Sequence, residues 1–476
     1  VIDLTPDEFR RLGYRAVDIV ADMLHGLADG PCRTWMPDER KRAILSQPVP
    51  RDGTEPDLLL DRVVREVVCY SMGNGSPRFF GWVNSPAAPL AVLGDLIASG
   101  LNPSVAGGDH SGTYVEHAVL TWIKQLVGFS NTSGAILTSG GSVANLIGLA
   151  VMRHTKTLGQ VRTDGLCVER RPLVVYASTE CHSCVQKAME LLGFGSRALR
   201  KIAVDRDFRM DVNMLADAIQ ADRTAGLIPV CVAASAGTVN TGAVDPLAEI
   251  ADVCAAAGLW FHVDAAYGGP GILAEAVAGE YAGMERADSL AVDPHKWLYI
   301  PVECGCALVR DAGAMRQAFS LVPPYLEDPD ALPWFSEFGI QQTRGFRALK
   351  LWLALQHVGI EGYRRLITRD IALARTLRDM IRESNDFALC AAGPLSVVCF
   401  QHVRPEHGDD VKKRNEFNRQ VLAHVQREGR VFLTGTELNG RFVLRACIVN
   451  FRTSENDLVE LLTAIRRAGQ KLLEGA

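Results

Sequence analysis

The first helical period opens the chain. Phe9, Leu12, Ala16, Ile19, Val20 and Met23 recur every three or four residues and form one apolar face. Thr5 stands where an N-cap belongs, Pro6 at the first helical position and Glu8 three residues after the threonine, which is the capping-box arrangement. A polar, proline-containing stretch follows from Pro37 to Pro56, and a second helix is predicted over Leu58–Met72. Two helices with so few other apolar faces bury little between themselves. Residues 1–80 therefore read as an arm that packs on another body, with a partner subunit as the natural candidate.

From Phe79 to Val358 short apolar runs alternate with helical periods. Strands are predicted at Ala135–Thr138, Leu173–Ala177, Ala198–Val204, Ile228–Ala234, Trp260–Val263, Ser289–Val292 and Cys306–Val309. Helices are predicted between them at Ser142–His154, His182–Leu192, Val212–Ala221 and Pro246–Ala257. The runs of Val, Ile, Leu and Ala lack period-2 alternation, so the strands are expected to be buried on both faces. Strand and helix in turn imply βαβ crossovers and a mostly parallel sheet. From Ile360 the pattern restarts with a long helix to Ile381. Strands at Leu395–Gln401, Val431–Thr434 and Arg441–Ile448 follow, then a closing helix at Glu455–Leu473. The expected division is an arm (1–80), a large α/β domain (81–360) and a small α+β domain (361–476).

Composition narrows the functional class. Lys plus Arg number 50 against 55 Asp plus Glu, a formal charge of −5, which offers no electrostatic footprint for nucleic acid or an anionic membrane. The expected partners are a small molecule and a second copy of the chain. Twelve cysteines in 476 residues sit mostly in apolar runs such as Val230-Cys231-Val232, as reduced core thiols do. No basic region followed by an apolar core opens the sequence, and the long uncharged stretch from Thr224 to Val244 contains Pro229, so it reads as strand and loop. A cytoplasmic protein is expected.

Ligands of open α/β sheets bind at the carboxyl ends of strands. After Leu137-Thr138 comes Ser139-Gly140-Gly141-Ser142 and a helix, a turn whose backbone N–H groups and positive helix end suit a phosphate. It matches neither GxxxxGK[ST] nor GxGxxG. After Trp260-Phe261-His262-Val263 comes Asp264 among small residues, and one crossover later Asp293-Pro294-His295-Lys296-Trp297 follows a strand. A partly desolvated lysine has a lowered pKa and becomes an amine nucleophile. A lysine for an imine link, a carboxylate to keep a pyridine nitrogen protonated and an anion cradle together fit pyridoxal 5′-phosphate. His182, after the strand ending Tyr176-Ala177-Ser178, could stack on its face. The Cys181-His182-Ser183-Cys184 tetrad lacks the further nearby ligands a zinc site needs, so no metal is expected.

These residues carry a resemblance. Pro77-Arg78-Phe79-Phe80-Gly81-Trp82, Thr138 through Asn145, His262 through Gly269, Ser289 through Trp297, Arg344 through Trp352 and Phe442-Val443-Leu444-Arg445 run in order along the whole chain. In these stretches the sequence resembles the group II pyridoxal-phosphate-dependent amino-acid decarboxylases, the aromatic-L-amino-acid decarboxylases above all. The resemblance implies an aspartate-aminotransferase-like fold type I homodimer that removes CO2 from an amino acid. It assigns Lys296 to carry the cofactor, Asp264 to pair with the pyridinium and His182 to stack on the ring and approach the substrate carboxylate. Ser139, Gly140, Gly141 and Ser142 would hold the phosphate with His295, while Thr238 and Ala266 would line the cofactor. Tyr325, on a Pro-rich acidic loop from Leu321 to Pro333 read as a lid reaching the partner subunit, would protonate the carbon that lost CO2. In aldehyde-forming relatives the lid tyrosine is Phe or the stacking histidine is Asn; Tyr325 and His182 favour simple decarboxylation.

Trp82, Val83, Asn102, Ser104 and Thr343 are the expected substrate-pocket residues. Asn102 and Ser104 replace a more apolar stretch, and Thr343 stands at a position linked to indole versus phenol choice. Asp293 occupies the Asn of the NPHK form, where a carboxylate beside a phosphate dianion is unfavourable unless it points away. No Arg is placed by motif to bind a side-chain carboxylate. The expected substrate is thus aromatic (Phe, Tyr, Trp or Dopa type), with an acidic amino acid (Glu, Asp or cysteine sulfinate) or aldehyde synthesis as the alternatives.

Overall fold

The computed structural model describes residues 2–165, 169, 171–321, 332–408 and 410–474. They divide into two units. The larger runs from Val83 to Arg378 and adds Ala391–Cys399; the smaller gathers the residues up to Trp82, Asp379–Cys390 and those from Phe400 onward.

Seven strands build the larger unit: β1 (Gly134–Thr138), β2 (Leu173–Ser178), β3 (Leu199–Ile202), β4 (Ile228–Ser235), β5 (Trp260–Asp264), β6 (Ser289–Val292) and β7 (Gly305–Val309). Their order is β1-β7-β6-β5-β4-β2-β3. All neighbours are parallel except β7, which runs antiparallel to both β1 and β6. Every residue of β1, β6 and β7 is buried, as the unbroken apolar runs predict for a sheet covered on both faces. Register aligns the carboxyl ends: Ser235 lies opposite Asp264, Asp264 opposite Ala291, and Val292 opposite Cys306. Because β7 is reversed, it is Gly305, its first residue, that meets Thr138 at this edge. A Cβ on Gly305 would lie 2.5 Å from the Gly140 Cα, so only glycine lets the turn after β1 close over it.

A buried ion pair secures that turn from behind. Arg344 donates from Nη1 to the Val105 carbonyl (2.7 Å) and from Nη2 to the Leu137 carbonyl (2.7 Å) and the Glu116 carboxylate. Both side chains are fully buried. Burial pushes the Glu116 carboxyl up and the Arg344 guanidinium opposes the shift.

In the smaller unit the helix Pro6–His25 has the expected capping box: Glu8 N–H donates to Thr5 Oγ1 and Thr5 N–H to Glu8 Oε2. Arg15 bonds Asp57 at 2.6 Å and thereby ties this helix to Pro56–Glu66, which ends before the expected Met72. Arg78 donates to the carbonyls of Ala28, Gly30 and Arg430. A second sheet has the order β10-β11-β9-β8, from β8 (Phe387–Ala391), β9 (Val397–His402), β10 (Thr434–Leu438) and β11 (Arg441–Cys447). Asn439 and Gly440, both at positive φ, make the two-residue turn that joins β10 to β11. The sequence pattern missed β8 and the helix Val411–Glu428, and it began the long helix too late. That helix spans Ala348–Arg382, and Gly359 at φ 67° interrupts it near where the pattern restarts. No helix among the described residues is long and apolar enough to cross a membrane.

Glu116→Gln strands a buried guanidinium without its counter-charge. It should destabilise the larger unit by about 3 kcal/mol, read as a lowered urea midpoint; an unchanged midpoint would show that the pair contributes nothing net.

Candidate active site

At the carboxyl edge of the seven-stranded sheet lies a cavity of about 450 Å3. Ser139, Gly140, Gly141, Ser142, His182, Thr238, Asp264, Ala266, His295 and Lys296 all line it, together with Asn145, Cys184, Tyr267, Asp293 and Glu303. Every residue expected to bind the cofactor thus converges on one space, although they come from five separate strand ends.

The turn expected to cradle an anion is the start of the helix Gly141–Lys156. No side chain caps this helix, and the Gly140 carbonyl takes the N–H groups of Val143 and Ala144. The first-turn N–H groups before them have no intrahelical partner and face the positive end of the helix dipole. A Cβ on Gly141 would sit 2.7 Å from Asp293 Oδ2 and 2.9 Å from Ala266 Cβ, so glycine keeps this space open. Thr238 is held by Thr241 Oγ1 at 2.9 Å and by the Ala243 N–H.

Asp264, the last residue of β5, accepts the Ala266 N–H at 3.1 Å through Oδ1, and Cys184 Sγ approaches Oδ2 at 3.8 Å. His182 caps the helix Ser183–Leu191 by accepting the Cys184 N–H on Nδ1 (3.2 Å). An acceptor Nδ1 leaves the proton on Nε2, so the ring offers a donor at its far edge. Burial of the ring lowers its pKa, and Asp264 opposes the shift. His295 is fixed in the same way, its Nδ1 accepting the Cys304 N–H at 3.1 Å.

Lys296 departs from the sequence expectation. Burial alone would lower its pKa, but the carboxylates of Asp293 and then Asp264 outweigh burial and raise it. Asp293 Oδ2 is 3.0 Å from Lys296 Nζ and 3.7 Å from His295 Nε2. Asp293 is only 2% exposed, and its Oδ1 is buried with no hydrogen-bond partner. It points toward the cradle, not away. Beyond Lys296, Trp297 Nε1 and the Tyr299 hydroxyl both donate to Asp370 Oδ2, at 2.9 and 2.7 Å, and Tyr267 stacks on Trp297. Tyr299 holds φ 57°, a strained value for a tyrosine that these contacts maintain.

One network escaped sequence reasoning. Trp260 Nε1 donates to Ser289 Oγ (2.8 Å), Ser289 meets His262 Nδ1 (2.7 Å), and His262 Nε2 meets Asn145 Oδ1 (2.6 Å). Asn145 Nδ2 donates in turn to the Gly141 carbonyl (2.9 Å) and to Cys184 Sγ (3.3 Å). Since Oδ1 can only accept, Nε2 carries the proton and Nδ1 accepts from the serine. A Cβ on Gly148 would lie 2.9 Å from the His262 ring, so this glycine lets the helix settle onto the histidine. The chain of bonds ends on the cradle itself. Burial pushes the His262 pKa down to about 4. The i, i+4 spacing of Gly141 and Asn145 was the available signal.

The expected substrate-pocket residues lie outside this lining. Asn102, Ser104 and Thr343 are exposed and Val83 is buried. Asn102, at φ 46°, lines a neighbouring cavity of about 370 Å3 with Glu303, Arg347 and Lys350. Trp82, in the smaller unit, packs on Phe432 with ring centroids 5.2 Å apart. Tyr325 and most of its loop lie outside the described residues. Among the described residues no cluster of His, Cys, Asp and Glu could hold a metal ion.

The glycine-kept cradle and a lysine beside two acids fit pyridoxal 5′-phosphate. Comparison with known proteins agrees. Residues 38–403 match the family model described as the pyridoxal-dependent decarboxylase conserved domain. The chain is 32% identical to an aromatic-L-amino-acid decarboxylase of Bacillus atrophaeus, over 99% of this chain and 97% of that protein. It is similar in structure to Catharanthus roseus tryptophan decarboxylase in complex with L-tryptophan (TM-score 0.89, 25% identity, 99% of this chain and 100% of that one). It is also similar to the glutamate decarboxylase domain of diaminobutyrate-pyruvate transaminase and L-2,4-diaminobutyrate decarboxylase from Vibrio parahaemolyticus (TM-score 0.88, 26% identity, 99% and 97%).

The His262 shift sets a pH signature. Its folded pKa of about 4 lies below the ordinary 6.5, so the unfolded chain binds the proton first as pH falls. The stabilisation is complete above pH 6.5 and is lost progressively down to about pH 4, by about 3 kcal/mol. His262→Gln should flatten the dependence of unfolding free energy on pH in that window; equal slopes for both proteins would contradict the assignment.

Proposed function

The chain belongs to the pyridoxal-dependent decarboxylase family and is a pyridoxal-phosphate-dependent carboxy-lyase, and from that premise we propose that its substrate is an aromatic L-amino acid, released as the amine. The observation that carries this reading is the state of the cations around the site. Glu303 lines both cavities, and it engages Arg347 at 2.7 Å; Lys350 is engaged by Asp95 at 3.2 Å. With carboxylates already on both, neither is a free counter-charge for an acidic side chain, whose burial would need one. The identity to an aromatic-L-amino-acid decarboxylase supports the same choice.

When bound, the cofactor supplies an electron-poor ring that accepts the electron pair left as CO2 departs. Ser139, Ser142 and the first-turn N–H groups of Gly141–Lys156 would hold its phosphate beside His295. Asp264, fixed through Oδ1 by the Ala266 N–H, would keep the proton on the ring nitrogen. His182, its Nδ1 already committed, would present Nε2–H to the substrate carboxylate and its face to the ring. Lys296 would carry the cofactor and yield it to the substrate amine. Tyr325 would give Cα the proton that replaces CO2, and with His182 retained the amine, not an aldehyde, is the product.

In the same reading the chain works as a cytoplasmic homodimer, with arm and lid loop reaching the partner. The helix Pro6–His25 buries none of its residues and leaves Phe9 and Tyr14 more than half exposed. Leu93, Leu96, Ile97 and Leu101 form a second exposed apolar stripe on the helix Pro89–Leu101. A second copy would cover such surfaces.

CO2 and amine release from Phe, Tyr, Trp, Dopa, Glu and Asp tests the proposal. Turnover should be confined to the aromatic set; turnover of Glu or Asp alone would replace that substrate class. Stimulation by a keto acid without CO2 would remove decarboxylation altogether. Lys296→Ala should lose the cofactor absorbance near ~420 nm. Tyr325→Phe should keep that absorbance and lower amine output at least tenfold; undiminished amine would take Tyr325 out of the reaction.

A further inference from the structure

Lys296 can attack the cofactor aldehyde only after losing a proton, yet its neighbours hold that proton more firmly than water would. Asp293 Oδ2, at 3.0 Å, is in hydrogen-bond contact with Nζ. The same carboxylate turns toward the phosphate cradle, with Oδ2 2.7 Å from the position a Gly141 Cβ would take and Oδ1 buried and unpartnered. Left ionised, it would repel a phosphate dianion across a low-dielectric space. Left protonated from the start, it could not accept anything from the lysine. One transfer resolves both conflicts.

We propose that Asp293 is a catalytic residue that takes the proton from Lys296 Nζ as the cofactor is captured, so that the acid becomes neutral when the phosphate arrives. This rests on the reading of Lys296 as the cofactor-bearing residue. The ammonium N–H bond breaks and its proton moves to the Asp293 carboxylate, which leaves the nitrogen lone pair free. The amine then condenses with the aldehyde carbon: one C=N bond forms, and the aldehyde oxygen leaves as water with the two remaining N–H hydrogens. The carboxylic acid so formed carries its O–H on Oδ2, the oxygen that lies nearest Gly141 in the cradle. His295 does not compete for this role: its Nε2 is 3.7 Å from Asp293 and its Nδ1 is occupied by the Cys304 N–H. Asp264 is set for the other end of the ring by its bond to the Ala266 N–H.

The test is the rate at which full-length protein stripped of cofactor develops the ~420 nm band after mixing with pyridoxal 5′-phosphate. Asp293→Asn keeps the shape of the side chain but cannot take a proton. Because it also removes the carboxylate that most raises the Lys296 pKa, rates are compared below about pH 7: capture by the unaltered protein should vary little with pH there, whereas capture by Asp293→Asn should be at least tenfold slower and fall further as pH drops, while inorganic phosphate still binds at least as tightly as to the unaltered protein. Added formate, a small external proton acceptor, should restore the rate, most of all in Asp293→Ser, where the cavity leaves room for it. Capture at the original rate in Asp293→Asn would overturn the proposal. So would a slowdown that formate fails to relieve in Asp293→Ser, or one accompanied by weaker phosphate binding. Absence of the band in the unaltered protein would instead remove the reading of Lys296 on which the proposal stands.

Discussion

One buried and one half-buried carboxylate share one lysine, and the larger unit is organised around that charge arrangement. Asp264 ends β5 and Asp293 follows β6, neighbouring parallel strands whose register brings Asp264 level with Ala291. Both acids act on Lys296, and together they reverse the downward shift that burial alone would impose. In water such charges would be solvated separately and interact weakly. At the end of a covered sheet they have mainly each other, and the Coulomb energy between them is correspondingly large. An acid pair around an amine is stable in that form only while the amine keeps its proton. The site is therefore built to exchange that proton when a phosphate and an aldehyde enter.

Holding this arrangement takes more structure than the contacting residues themselves. Asp370 takes the polar hydrogens of Trp297 and Tyr299, so the segment after Lys296 is anchored through its neighbours one and three positions on. The relay from Trp260 through Ser289, His262 and Asn145 fixes the Gly141 carbonyl and the Cys184 thiol. Arg344 joins the backbone of Leu137 to that of Val105 beneath the same turn. Each support is buried and, apart from the Arg344 Nε–H, has its donors directed at named acceptors, which is the condition under which polar groups in an interior add rigidity instead of a desolvation penalty.

Much of this was legible in the sequence, and the limits follow from physical causes. Unbroken apolar runs located all seven strands of the main sheet to within a few residues, because a strand covered on both faces leaves no other pattern. The residues at the strand ends could be assembled because open α/β sheets gather ligands along one edge. The direction of the Lys296 shift was not legible. It depends on whether Asp293 faces the lysine or turns from it, which local sequence does not encode. His262 looked like part of a strand motif, and only the fold reveals that Gly148 clears space for its ring. In the C-terminal part, β8 and the helix Val411–Glu428 went unread because their apolar positions are interleaved with polar ones that find partners far along the chain. Asn418, for example, bonds both the N–H and the carbonyl of His402.

Reduction of the cofactor-loaded protein with borohydride, followed by peptide mapping, should yield a single phosphopyridoxyl adduct, on Lys296. An adduct on any other lysine, or a protein left unmodified, would contradict the reading of Lys296.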